Sequence, residues 1–190
     1  MDLVEIICIL DKSGSMAPRA QDAIGGFNTF LKEQKALPGK ALLSLTLFDT
    51  QVTQVHAGKD LQDVPDLDTS TYIPGGFTAL LDAVGSTLAK AEERHASMPE
   101  AERPKRVLTV IITDGQENAS REFDRKGLHA KIEACKAKGW EFSYLGATPS
   151  TFQDAASIGL AHAAQQYDSG NIRGAYMGMS VNSVAFRTKK

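Results

Sequence analysis

The chain has 190 residues, 42% hydrophobic and 23% charged, a composition that excludes a disordered or fibrous chain. Its 21 basic and 23 acidic side chains leave a net charge of −2, so no basic face for nucleic acid is expected. The longest apolar runs, such as residues 4–10, fall far short of the roughly 20 residues that cross a bilayer, so no membrane partner is expected.

In chain order, residues 3–10 are apolar almost throughout and predict a strand covered on both faces. Asp2 and Glu5 stand where a secretory signal would carry Lys or Arg, so a strand and a cytoplasmic setting are expected rather than export. Ala20, Ala23, Ile24, Phe27, Phe30 and Leu31 recur at helical spacing. Residues 41–48 alternate at their centre, with Leu43, Leu45 and Leu47 against Ser44 and Thr46, as in a strand nearer an edge with one wetter face. Asp49-Thr50-Gln51 is too short for a crossover, so residues 52–56 should return antiparallel. Residues 58–77 form a long connection holding Asp60, Asp63, Asp66 and Asp68, which lack the spacing of a calcium loop and suit a solvated surface. A second helix follows from Leu81, Val84, Leu88 and Ala91, and residues 95–105 make a plain surface connector.

Residues 107–113 predict another fully buried strand. Leu128, Ile132 and Cys135 lie on a third helix that Gly139 should stop, and residues 141–145 form a fourth apolar strand. A short helix at 150–157, a last strand at 163–167 and a closing helix at 170–187 complete the pattern. Alternating strands and helices predict an α/β fold with a doubly wound, mostly parallel sheet, one antiparallel edge strand and helices on both faces. No linker divides the chain, so residues 1–190 are expected to form one domain. Cys8 and Cys135 suit small buried hydrophobes in a reducing compartment. The four histidines are scattered without ligand spacing.

Three segments concentrate chemistry. Asp11-Lys12-Ser13-Gly14-Ser15 follows the first strand; in an extended turn, residues two apart point the same way, so Asp11, Ser13 and Ser15 can converge. Thr113-Asp114-Gly115 ends the other fully apolar strand. Gly75-Gly76-Phe77-Thr78 puts a hydroxyl before a helix, where Thr78 serves as a cap or a ligand. Phe77 fits either a rim contact or the core. Open parallel sheets bind ligands beyond the carboxyl ends of their strands, where the strand order reverses. If the two apolar strands are neighbours, Asp11 and Asp114 face each other and repel unless something positive lies between them. Carboxylates and hydroxyls without His or Cys suit Mg²⁺ or Mn²⁺ and argue against zinc. Glu117 and Asn118 follow closely and fit a supporting role, a solvated loop or a cap.

The combination Asp-x-Ser-x-Ser, a distant Thr in a Gly-rich turn and Thr-Asp-Gly after a later strand resembles the von Willebrand factor A domain, and looks most like its small intracellular bacterial and phage forms. The resemblance implies that Asp11, Ser13, Ser15, Thr78 and Asp114 form a complete metal-ion-dependent adhesion site. It also implies a strand order of 3-2-1-4-5-6, with the site between strands 1 and 4. The implied function is that of a non-enzymatic, monomeric module, whose metal accepts an Asp or Glu from a protein partner. The alternative is a Mg²⁺-dependent phosphohydrolase or other phosphoryl-transfer enzyme on the same sheet. Against it, Ser13 stands where an aspartyl phosphotransferase needs its second acid, and the chain has no GxxxxGK[ST], HExxH or GxSxG motif.

Overall fold

The computed structural model describes residues 2–168 and 171–189. Its axis is β1 (Val4–Asp11), buried along its whole length. It pairs in parallel with β2 (Ala41–Phe48) on one side and β4 (Arg106–Thr113) on the other. Strand alternation sends Ile6, Cys8 and Leu10 into one core layer and Ile7 and Ile9 into the other. That double burial is why the segment is almost uniformly apolar. The strand runs one residue further than the sequence suggests, so Asp11 belongs to its end rather than to the following turn.

Edge strand β3 (Val52–Asp60) runs antiparallel to β2, while β5 (Glu141–Gly146) and β6 (Ala164–Gln166) continue in parallel beyond β4. The six strands are ordered β3-β2-β1-β4-β5-β6. This is the doubly wound, mostly parallel sheet with one antiparallel edge strand that the sequence predicts. Helices α1 (Ala20–Ala36) and α5 (Ile172–Thr188) cover one face, burying Phe27, Phe30 and Leu31 with Ile172, Tyr176 and Met179. Helices α2 (Leu80–Ser97), α3 (Arg125–Ala137) and α4 (Pro149–Ser157) cover the other, through Val84, Leu88, Leu128, Ile132 and Ala155. Each buries the stripe repeated at three- and four-residue spacing.

Local chemistry sets the helix ends. Asp124 accepts the Gly127 N–H at 2.6 Å, and Thr148 forms a reciprocal capping box with Thr151. At the far end of α3 the Gly139 N–H bonds the Lys136 carbonyl at 2.8 Å. Among the described residues no helix is long and apolar enough to cross a membrane.

Several expectations need correcting. The second face of β2 is not wet: Ser44 and Thr46 are buried under α2, where Ser44 bonds Glu5 at 2.6 Å and Thr46 bonds Thr87 at 2.9 Å. The polar alternation is a buried hydrogen-bonded row, and the exposed edge is β3. The long connection is shorter than expected, because β3 extends to Asp60. It is also anchored, by buried Leu61, Val64, Leu67 and Tyr72. The connector expected from residue 95 starts later, since α2 runs to Ser97 and His95 bonds Glu5. The predicted start of the last helix, Gly170, lies outside the described residues.

Candidate metal centre

The strand order reverses at β1, so the loops after β1 and β4 leave the sheet side by side. Asp11 stands at the end of β1 with 1% of its surface exposed. Its Oδ1 accepts the Ser13 N–H at 2.7 Å and its Oδ2 accepts the Thr113 hydroxyl at 2.6 Å. Burial pushes its carboxyl up to about 6; the bonds from Thr113 and Ser13 oppose that rise, and the nearby Asp114 charge adds to it.

Ser13, also buried, places its Oγ 3.2 Å from Ser15 Oγ, and Ser15 donates to Asp114 Oδ1 at 2.6 Å. Alternate residues after β1 therefore do point the same way, and they meet the acid that follows β4. Thr78 arrives from the third segment. A methyl group built on Gly115 would lie 2.8 Å from Thr78 Oγ1, 3.5 Å from Asp11 Oδ2 and 3.6 Å from Ser13 Oγ. Oxygens from two of the segments thus surround one small space beside the third, which stays open because residue 115 has no side chain.

Thr78 is not a cap: the N-cap of α2 is Ala79, and no side chain caps there. Instead its backbone is clamped by Asn118, whose Oδ1 accepts the Thr78 N–H at 2.8 Å and whose N–H donates to the Thr78 carbonyl at 3.1 Å. Glu117 braces the start of α2 by accepting the Leu81 N–H at 2.9 Å, and folds its own loop by accepting the Ala119 and Ser120 N–H groups. Buried Asp154 accepts the Glu117 N–H at 2.9 Å while paired with Arg125 at 2.7 Å, tying this loop to α4. Glu117 and Asn118 therefore both support the site, and Glu117 also braces the first turn of α2.

Four contributors have roles that the motifs do not announce. Thr113 fixes Asp11. The Tyr72 hydroxyl donates to the Asp11 carbonyl at 2.5 Å. Arg19 donates to Asp114 Oδ2 and to the Ser15 carbonyl, each at 3.1 Å, and so offsets the repulsion expected between the two acids. The buried Tyr167 hydroxyl has no hydrogen-bond partner among the described residues, and the charges of Asp114, Asp11 and Arg19 act on it.

Among the described residues no group of three or more His, Cys, Asp or Glu side chains is arranged to hold a metal. The donors gathered here are two carboxylates and three hydroxyls, a set in which hydroxyls replace the third acid. Hard oxygen donors of this kind fit a hard divalent cation.

No family model matches the chain, and no curated protein matches it. Solved structures do. The vWF domain of the type V pili tip protein Mfa5 from Porphyromonas gingivalis superposes with a TM-score of 0.66 at 11% identity, over 100% of this chain and 97% of that one. The manganese-loaded TRAP protein of Plasmodium vivax gives 0.63 at 16% identity, covering 92% of this chain and 72% of that one. Proximal thread matrix protein 1 from the mussel byssus, with a zinc-occupied MIDAS motif, gives 0.62 at 15% identity over 96% of this chain. The chain spans 46% of that mussel protein, just under half its length. The chain has the von Willebrand factor A fold.

Proposed function

We propose that residues 1–190 act as one metal-dependent protein-recognition module. Asp11, Ser13, Ser15, Thr78 and Asp114 hold a divalent cation, Mg²⁺ or Mn²⁺, and an Asp or Glu of a protein partner completes the coordination. The convergence of Asp11, Ser13 and Thr78 oxygens on the space beside Gly115 carries this reading. A bound cation supplies positive charge toward the open face. The chain's part is to keep that charge from being cancelled: three donors are neutral hydroxyls, and Asp114 already shares its charge with Arg19. No bond is made or broken. The manganese-loaded and zinc-occupied states of the TRAP and mussel proteins support a divalent ion, and the all-oxygen donor set favours Mg²⁺ or Mn²⁺ here. The free, buried Cys8 and Cys135 support the cytoplasmic placement, and the module is expected to be monomeric.

Gly115→Ala is the sharpest local probe. Its methyl group enters the space that the three oxygens share. We expect a folded protein destabilised by about 1–3 kcal/mol, the usual range for overpacking, with metal binding lost. Unfolding curves and calorimetric Mn²⁺ titration read the two effects separately. An unchanged Mn²⁺ affinity would place the cation elsewhere.

The functional test uses immobilised wild-type and Asp114→Asn proteins with extract of the native cell, in Mg²⁺ or in EDTA. The expected result is a protein retained by wild type in Mg²⁺ alone. Retention that ignores EDTA and the substitution would falsify the recognition mechanism.

A further inference from the structure

The exposed large hydrophobic side chains among the described residues are Ile73, Phe77, Met177 and Val181. Two of these four lie on the loop that brings Tyr72 and Thr78 to the candidate centre. Phe77, 66% exposed, immediately precedes Thr78, and Ile73, 61% exposed, follows Tyr72, whose hydroxyl holds the Asp11 carbonyl. Single exposed apolar residues are ordinary on a protein surface and need no explanation. These two differ because they share a loop whose backbone is bonded to that of the Ser13–Ser15 loop.

The loop that carries them runs alongside the loop of Ser13 and Ser15. The Gly75 N–H bonds the Lys12 carbonyl at 2.9 Å, and the Gly14 N–H bonds the Gly76 carbonyl at 3.2 Å. On its other side the Phe77 N–H bonds Thr50 Oγ1 at 2.8 Å, and the Ala79 N–H bonds the Asp49 carbonyl at 2.9 Å. Gly76 turns the chain with φ of 66°, and a Cβ there would lie 2.5 Å from Thr50 Oγ1. The Phe77 backbone is therefore pinned between a left-handed glycine and a clamped Thr78, with its side chain outside the core. A rigid, pre-exposed aromatic ring loses little freedom when a partner covers it.

The charges around the opening point to what covers it. Arg19 lies beside Asp114, with 27% of its side chain exposed. Lys12 pairs with Asp49 on the same loops and is largely covered. The partly exposed cation thus sits at the acid end of the centre, and Phe77 at the Thr78 end.

We propose that Ile73 and Phe77 form a specificity rim, selecting a partner segment whose acidic residue is flanked by large apolar side chains. This rests on the metal-centred reading above, which supplies the anchor for the acid; the rim supplies the choice among acids. It predicts poor binding of the far commoner surface acids set among polar or charged neighbours.

The test uses three short capped synthetic peptides: one with Glu between two Leu residues, one with Glu between two Ser residues, and the Leu-flanked peptide with Gln for Glu. Binding is followed by amide NMR shifts in millimolar Mg²⁺ and again in EDTA, for wild type and for the Ile73→Ser/Phe77→Ser double variant. Both substitutions replace exposed side chains, and superimposable melting curves will verify that the fold is kept. In wild type the Leu-flanked Glu peptide is expected to bind about tenfold tighter than the Ser-flanked one, the gain from partly burying one large apolar side chain. EDTA or the Gln replacement should abolish binding, and in the double variant the two Glu peptides should bind equally. Equal affinities in wild type, with EDTA sensitivity retained, overturn the rim and leave the metal centre standing. A Leu preference that survives both EDTA and Gln overturns the metal anchor and this proposal with it. No binding of either Glu peptide at millimolar concentration also overturns the proposal.

Discussion

Saturating Mg²⁺ or Mn²⁺ is expected to raise the melting temperature of the wild-type protein by roughly 5–10 °C. An ion that binds only the folded state stabilises it by about 2.7 kcal/mol at a hundredfold excess over Kd. For a chain of this size each kcal/mol moves the midpoint by about 2–4 °C. In Asp11→Ala the increase should nearly vanish. That substitution also strands two donors, the Ser13 N–H and the Thr113 hydroxyl, so its metal-free midpoint should fall as well. Asp11→Asn keeps an acceptor there and removes the charge, which separates the structural loss from the metal-dependent one. Its metal-free form should melt close to wild type, or above it, because the Asp114 charge opposes ionisation of Asp11. Equal metal-induced increases in wild type and both variants would remove Asp11 from the site. Repeating the measurement with Zn²⁺ tests the preference for hard cations, since the mussel protein's motif holds zinc.

The sheet and the convergence of the motif segments were legible because β1 and β4 carry unbroken buried apolar runs that end in an acid. A doubly wound sheet leaves two such strand ends one natural meeting place. Thr78 was visible, but its role was not. Only the position of Ala79 as N-cap, and the Asn118 clamp behind Thr78, show that its hydroxyl is spared for the shared space. Thr113 stands in the Thr-Asp-Gly motif, but its bond to Asp11 was hidden, because a β-branched Thr in a strand needs no special reason. Arg19, Tyr72 and Tyr167 were hidden because nothing local distinguishes a surface-helix arginine or a loop tyrosine from those that reach a site. Tyr72 finds the Asp11 carbonyl 61 positions away. The polar row of β2 misled for a related reason. Period-two alternation predicts two different faces, but it cannot tell water from a partner hydroxyl such as Thr87.

Glu5 is another long-range case, and it carries the second large effect. An acid within an apolar run gives no clue to its partners, which lie 39, 89 and 90 residues on. The side chain is fully buried. It accepts from Arg94 Nη2 at 2.6 Å, from the Ser44 hydroxyl at 2.6 Å and from His95 Nε2 at 2.6 Å. Facing a carboxylate, Nε2 of His95 must carry the proton, and its ring stands 5.5 Å from that of Trp140. Burial pushes the Glu5 carboxyl up, but the His95 bond, the Arg94 charge and the Ser44 bond together hold it below its ordinary value of 4.5.

Removing one member of a buried ion pair leaves the other uncompensated, so Glu5→Gln should cost about 3–5 kcal/mol at neutral pH. Because the folded-state value is depressed, the stability contributed by Glu5 is present above pH 4.5 and lost as pH falls through the folded value. Urea unfolding at neutral and acid pH should therefore show wild type losing more stability on acidification than Glu5→Gln. The double variant Glu5→Leu/Arg94→Met replaces the pair by apolar side chains of similar size. It should recover most of the neutral-pH stability, since such replacements are often neutral or stabilising by about 1–4 kcal/mol, while keeping the flatter acid response. The same acid response in wild type and Glu5→Gln would show that other carboxylates govern acid unfolding. Failure of the double variant to recover would show that Ser44 and His95, left facing leucine, depend on the carboxylate as much as Arg94 does.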